Sequence, residues 1–183
     1  MKKILIVLLA AFATAYANAA PTFDSTKKEI KEERKSARIT LRKLKGSEVS
    51  FFSKENFQKD FKNPANVSWS RDDYFDIISF TLDNKNMKAY YDHAGELVGT
   101  ISPSSFASLP DMAQKYINKH YGDYTVQKVI FFDDNEANFT DMIMYDMQFE
   151  DSDSYFVELS NGKSQIVLHV FNSGDVDFLK KLS

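Results

Sequence analysis

Asp92 and His93 stand side by side in the run AYYDHAGELVGT (89–100), with Glu96 close behind. A carboxylate beside an imidazole can orient a general base or help hold a metal. Both roles need further groups that converge. A zinc centre takes three or four His, Cys or carboxylate ligands. The histidines fall at 93, 120 and 169, without H-x-x-x-H or H-E-x-x-H spacing, and there is no cysteine. A catalytic nucleophile needs a base that is itself held by a third group, and the G-x-S-x-G motif is absent. On a strand, Asp92 and His93 would point to opposite faces. Asp tolerates turn geometry and Gly supplies positive φ, so Asp92-His93-Ala94-Gly95 reads as a hairpin turn. His120 and His169 read as packed or boundary residues. The acidic runs DDNEANFTD (133–141) and DSDSYF (151–156) invite calcium, but the first departs from the EF-hand pattern at Ala137, the second at Tyr155, and neither holds a Gly. Both read as solvated loops. A calcium or small-ligand role for 133–141 is kept as the alternative function. No catalytic, cofactor-binding or metal residue is assigned, and the chain reads as non-enzymatic.

The elements that would position any site begin after a leader. MKK, the apolar ILIVLLAAFATAYA and the small-x-small Ala17-Asn18-Ala19 form a secretory signal pattern over 1–19, with cleavage expected after Ala19. The run is short for a spanning helix, and no later segment is long and apolar enough for one. The chain is therefore expected to be periplasmic or secreted. Without Cys it has neither disulfides nor a lipid-bearing N-terminal Cys. Residues 20–50 form a basic arm or helix: 27–45 carry a net +6, while 46–183 carry −10. An acidic body argues against nucleic acid, because phosphate binding needs clustered Lys and Arg.

From residue 51 the pattern predicts α+β, with helices covering a sheet face. In SKENFQKDF, Ser53 is the candidate N-cap, and Asn63-Pro64 ends the helix. NVSWS (66–70), YFDIISFTL (74–82), MKAYY (87–91) and ELVGTI (96–101) read as strands. SPSS (102–105) reads as loop. Leu109-Pro110 opens a second helix that Gly122 stops. YTVQKVIFF (124–132), MIMYDMQF (142–149), YFVEL (155–159) and QIVLHVF (165–171) read as four more strands, and SNGK (160–163) is a turn that echoes DHAG. The order repeats, so two tandem αβ units are expected, 51–101 and 108–171, followed by a tail, 172–183, with a short helical end.

The tyrosines are the remaining candidates. Tyr74, Asp76, Ile78, Phe80 and Leu82 share one strand face, and Phe75, Ile77, Ser79 and Thr81 the other. Neither face is polar throughout, so each is covered by a second layer or serves as an apolar recognition surface. Tyr anchors interfaces because its ring buries apolar area while its hydroxyl finds a partner. Tyr74, Tyr90, Tyr91 and Tyr145 are the candidate partner-binding residues.

Three longer pieces carry a resemblance: FKNPANVSWS, ISFTLDNKNMKAYYDHAGELVGT and LPDMAQKYINKHYGDYTVQKVIFF. They resemble the PepSY-like, beta-lactamase-inhibitor-protein-like family of secreted Bacteroidota proteins. The likeness spans about residues 51–171. Its specific parts are Asn66-Val67-x-Trp69, Tyr91-Asp92-x-x-Gly95-Glu96, and Leu109-Pro110 opening a helix that ends in Tyr121-x-x-Tyr124. It implies one or two units of helix on antiparallel sheet, without catalytic residues or cofactor. It also implies a periplasmic or exported module that recognises or inhibits an unknown protein or peptide through a sheet face and loops. Inhibition of a particular enzyme is not carried over, because fold does not fix function.

Overall fold

The computed structural model describes residues 41–150 and 152–182. The expected signal peptide, and the arm as far as residue 40, lie outside them. Helix α1 (Phe51–Asp60) starts from Ser50, whose Oγ accepts from the Ser53 amide at 3.0 Å. Ser53 is therefore not the cap. It lies buried in the first turn and donates its hydroxyl to Asp76 Oδ2 at 2.7 Å. Strands β1 (Ala65–Arg71), β2 (Asp76–Leu82), β3 (Lys85–Tyr91) and β4 (Leu97–Ser104) follow, then a 3-10 turn at Phe106–Ser108 and α2 (Asp111–His120). After α2 come β5 (Thr125–Asp134), β6 (Met142–Met144), β7 (Met147–Phe149), β8 (Ser154–Ser160), β9 (Gln165–Phe171) and β10 (Val176–Leu182).

Eight strands form one antiparallel sheet in the order β1-β2-β3-β4-β5-β8-β9-β10, and β6 pairs with β7 alone. The predicted α+β class holds. Both helices lie on one sheet face. Phe57 of α1 packs against Ile78, Phe80, Ala89 and Tyr91, while Ala113 and Ile117 of α2 pack against Val129, Val157, Leu159 and Leu168. On the opposite face Phe75, Tyr90, Val98, Phe132, Phe156 and Val167 are covered by Met142, Met144 and Phe149. The apolar character of both faces thus has a structural cause at the sheet centre: helices cover one side and the β6–β7 hairpin the other. Burying a Phe side chain in this way contributes about 1.5–3 kcal/mol.

Three expectations change. MIMYDMQF is not one strand of the sheet; it folds at Tyr145-Asp146, whose φ angles are 53° and 60°, the two-residue turn whose twist suits a tight hairpin. The expected helical end of the 172–183 tail is not found over the described residues, because 176–182 pair along β9 as β10. Ser102 to Ser104, expected as loop, extend β4 and pair with Phe131 to Val129.

The turn that matches Asp92–Gly95 is also a different one. Asp92 N donates to Glu96 O, and Gly95 N to Asp92 O; Phe171 N donates to Asp175 O, and Gly174 N to Phe171 O, all at 2.8–3.0 Å. Both glycines have φ near +80° to +90° and both lean on a helix start. A Cβ on Gly95 would stand 2.6 Å from Phe52 Cβ, and one on Gly174 2.9 Å from Met112 Cβ. Gly162, in SNGK, has nothing within 4 Å. The echo of Gly95 is therefore Gly174.

Candidate interaction surface

Alternation along the sheet sorts the connections into two ends. β1, β3, β5 and β9 run one way and their neighbours the other. The β1–β2, β3–β4, β5–β6 and β9–β10 connections therefore share one end of the sheet. Both helices start at that end, where Gly95 and Gly174 meet them. The β2–β3 and β8–β9 turns, and the links that lead from each helix into its strand, share the other end.

The two ends differ in chemistry. The loop-rich end carries exposed Asp72, Asp73, Glu96, Asp111, Asp133 and Glu136, against exposed Arg42, Lys43, Lys45 and Lys54. The opposite end carries exposed Lys62, Lys85, Lys119 and Lys163 beside exposed Asp60, Asp83 and Asp123, so its charges nearly balance. The loop-rich end also holds Phe51, Phe52 and Phe139, which are 73%, 63% and 43% exposed. Exposed aromatic rings grouped among charged residues are a common mark of a protein contact surface.

Asp92 knits this end together. It is buried; its Oδ1 accepts from Ala94 N at 2.8 Å and Glu96 N at 3.1 Å, and its Oδ2 from Asn138 Nδ2 at 3.3 Å and Thr140 Oγ1 at 3.4 Å. One carboxylate thus organises its own turn and ties the 135–141 loop to it. Asn56 of α1 adds a bond from Nδ2 to Gly95 O at 2.7 Å. Phe52 and Phe139 are in this way linked to one framework through a single turn. His93 is exposed beside it and takes no part in that network. Asp92→Ala should cost about 1–3 kcal/mol, because the buried amides and the Asn138 side chain lose their acceptor. His93→Ala should stay within about 0.5 kcal/mol of the parent. Paired urea melts read both, and equal effects would remove the organising role from Asp92.

The four tyrosines do not share a surface. Tyr91 is fully buried under α1 and donates its hydroxyl to Asp60 Oδ2 at 2.8 Å. Burial, with the Asp60 carboxylate beside it, pushes its phenol up. Tyr90 is buried on the opposite sheet face against Phe75, and burial raises its phenol to about 12. These two are core residues and offer no contact area to a partner. Their neighbours in register on β2 are buried Asp76 and half-buried Ile77, which a single strand read alone does not reveal. Tyr74 is half-buried at the loop-rich end, with Lys43 Nζ 5.7 Å from its ring centre. Tyr145 is half-buried at the hairpin tip towards the other end, where it donates to Glu158 Oε1 at 2.6 Å.

Asn135, Asn138 and Thr140 of the 133–141 run serve the fold. Asn135 holds the β4 edge, bonding Leu97 O through Nδ2 at 2.7 Å and Val98 O through its amide at 3.0 Å. Asn138, within a glycosylation sequon, is buried on Asp92. Among the described residues no three His, Cys, Asp or Glu side chains group so as to hold a metal ion. His169 is buried, stacked 4.8 Å from the Phe156 ring, and burial lowers its imidazole pKa. His120 stacks on Tyr116 at 4.4 Å. The exposed Phe51 and Phe52 were legible in principle: adjacent helical positions lie about 100° apart, so two consecutive Phe cannot both face one core. Phe139 stands alone in a polar loop, and nothing in its neighbours marks it.

No family model and no curated protein matches the sequence. Solved structures do. A DUF2874 family protein from Bacteroides uniformis aligns with a TM-score of 0.60 at 13% identity, over 73% of this chain and 89% of the other. A BLIP-like protein from Bacteroides fragilis aligns at 0.53 and 15%, over 73% and 84%. The chain has the BLIP-like, DUF2874 fold. A protein of Bacteroides eggerthii, named as periplasmic, aligns at 0.58 and 13%, over 73% and 88%. Among the described residues of this BLIP-like chain, no helix is long and apolar enough to cross a membrane.

Proposed function

We propose that this BLIP-like chain is an exported, non-enzymatic binding module that recognises a protein or peptide through the loop-rich end of its sheet. The observation that carries the reading is the placement of exposed Phe51, Phe52 and Phe139 on one hydrogen-bonded framework, ringed by carboxylates. Tyr74 borders that surface and belongs to it. The partner presents apolar side chains within a basic rim, so its association weakens as salt rises. The sheet face contributes only at its margins, since the hairpin occupies its centre. The matched contacts of α1 with Gly95 and of α2 with Gly174 support a reading of the chain as two tandem αβ units, the second running through β10. Export rests on the signal pattern at 1–19 and agrees with a like-folded protein named as periplasmic.

The test compares the parent with a Phe51→Ser/Phe52→Ser/Phe139→Ser variant as baits in periplasmic extract and culture fluid. All three positions are exposed, so thermal stability should stay nearly unchanged. A protein retained by the parent, and held about tenfold or more weakly by the variant, is the expected result. Identical captures from both baits would sink the assignment of this end.

A further inference from the structure

The two matched corners of the fold are built alike and filled differently. In the first, a cleft of about 630 Å³ lies beside α1 and the start of β4, with Asn56, Asp60, Glu96 and Leu97 on its inner side. Its outer wall comes from the end of β5 and the next loop, including Asp133, Asn135 and Asn138. β5 pairs antiparallel with β4 from Gly99↔Asp134 to Ser104↔Val129, and Asn135 closes the corner on Leu97 O and Val98 O. In the second corner, a groove of about 560 Å³ lies beside α2 and the start of β10, lined by Met112, Tyr116, Phe171, Gly174, Val176 and Asp177. Here the described residues supply no outer wall. β10 is the last strand of the sheet, and among the described residues no strand pairs with its outer edge. Counting from the matched glycines, Val176 and Asp177 stand where Leu97 and Val98 stand. Met112, Tyr116 and Phe178 beside this edge are 65%, 42% and 58% exposed.

We propose that the α2–β10 groove receives an extended segment of a partner protein, added antiparallel to β10 as β5 is added to β4. Strand addition to an open edge takes its affinity from main-chain hydrogen bonds and its selectivity from alternate side chains. The charges set the polarity. β10 leads from Asp175 and Asp177 towards exposed Lys181, while Lys180 is turned to the hairpin, where it donates to Tyr145 O and Asp146 Oδ2. An antiparallel segment begins beside Lys181 and ends beside the aspartates. It therefore carries carboxylates in its first residues, alternating apolar side chains in its middle to cover Met112 and Phe178, and Lys or Arg at its end. Exposed Lys181 and the register shift between Phe178 and Lys180 are devices by which edges refuse indiscriminate pairing; here they confine pairing to segments of the right charge order. The groove opens at the same end of the sheet through Met112 and Gly174 but shares no residue with the Phe51, Phe52 and Phe139 surface, and the proposal goes beyond that reading.

The test titrates the purified protein with an end-blocked peptide, Glu-Glu-Val-Thr-Val-Thr-Val-Lys-Lys, and with a twin whose charged ends are exchanged, followed by amide NMR. The expected result is binding of the first peptide, with shifts confined to 174–182 and the Met112–Tyr116 turn of α2. Its twin, and a Met112→Lys/Phe178→Lys variant, should bind about tenfold more weakly or less. Both substituted side chains are exposed, so the variant keeps its fold, as its unperturbed core resonances would verify. Equal binding of the two peptides, no binding of either, or shifts elsewhere would overturn the proposal. So would sedimentation showing that β10 pairs with a second copy, which would make the occupant this chain itself. The Phe51→Ser/Phe52→Ser/Phe139→Ser variant should bind the first peptide as the parent does, so failure at one surface is separable from failure at the other.

Discussion

Asp76→Ala should destabilise the fold by about 3–5 kcal/mol, the cost of removing one partner from a buried ion pair. Asp76 has no accessible side-chain surface and Arg71 very little. Arg71 holds the carboxylate with both prongs, Nε at 2.6 Å and Nη2 at 2.9 Å, while the Ser50 amide and Ser53 hydroxyl donate at 3.0 and 2.7 Å. The substitution would strand a guanidinium whose remaining bond runs to Lys45 O and would release the start of α1 from the sheet. Against the usual 5–15 kcal/mol of a domain, that is a fifth of the total or more. Burial pushes the Asp76 carboxyl up, but the bonds from Arg71, Ser50 and Ser53 outweigh it and hold it below the usual carboxylate range. A group whose folded pKa is lowered contributes stability above its unfolded value, about 3.9. That contribution fades as the pH falls through the folded value. Thermal melts should thus show an acid limb below about pH 4 in the parent and a shallower one in Asp76→Asn. An equal limb in both would place acid sensitivity elsewhere.

Phe149→Ala is the second large effect, about 3–5 kcal/mol. The ring sits 5.3 Å from Phe132, 4.9 Å from Phe156 and 5.4 Å from His169. It joins the hairpin to the sheet, so its loss removes packing on both and should raise binding of a hydrophobic dye at native pH. Met147→Ala, at an exposed position of the same hairpin, should change little. Chemical denaturation with dye fluorescence separates them, and two similar variants would mean that Phe149 does not anchor the cover.

These two sites show what the sequence could and could not tell. Helix α2 was readable because Leu109-Pro110 and Gly122 punctuate it and Ala113 and Ile117 mark its inner face. β9 was readable because β-branched and apolar residues run through it. Both signals are local. The β6–β7 hairpin was not readable, since Tyr145-Asp146 lacks the Asn-Gly or Asp-Gly that announces such a turn; the turn is held by Lys180, which donates to Tyr145 O at 3.0 Å and to Asp146 Oδ2 at 2.7 Å. β10 was hidden by Lys180 and Lys181 in an edge strand, a composition that reads as a polar tail. The Asp92 turn was recognised from Asp and Gly alone. Its bonds to Asn138 and Thr140 span more than forty residues and leave no mark in the local pattern. The burial of Tyr90 and Tyr91 was not legible, because alternation assigns a residue to a face without saying what lies over that face.

The β6–β7 excursion leaves the ladder after Asp134 and rejoins it where Ser154 pairs with Phe132. The sheet continues on either side as though nothing had been inserted, so the cover is a cassette with respect to strand pairing. Its exposed positions can drift without shifting the register of any of the eight strands, while Phe149 stays tied to the sheet and Asn138 to the Asp92 turn. Nor can the greasy floor it hides drift freely. A descendant that shortened the cassette would have to make Phe132 and Phe156 polar, or cover them with another molecule. One insertion thus offers the fold a short evolutionary path from a self-covered sheet to one that must be occupied from outside.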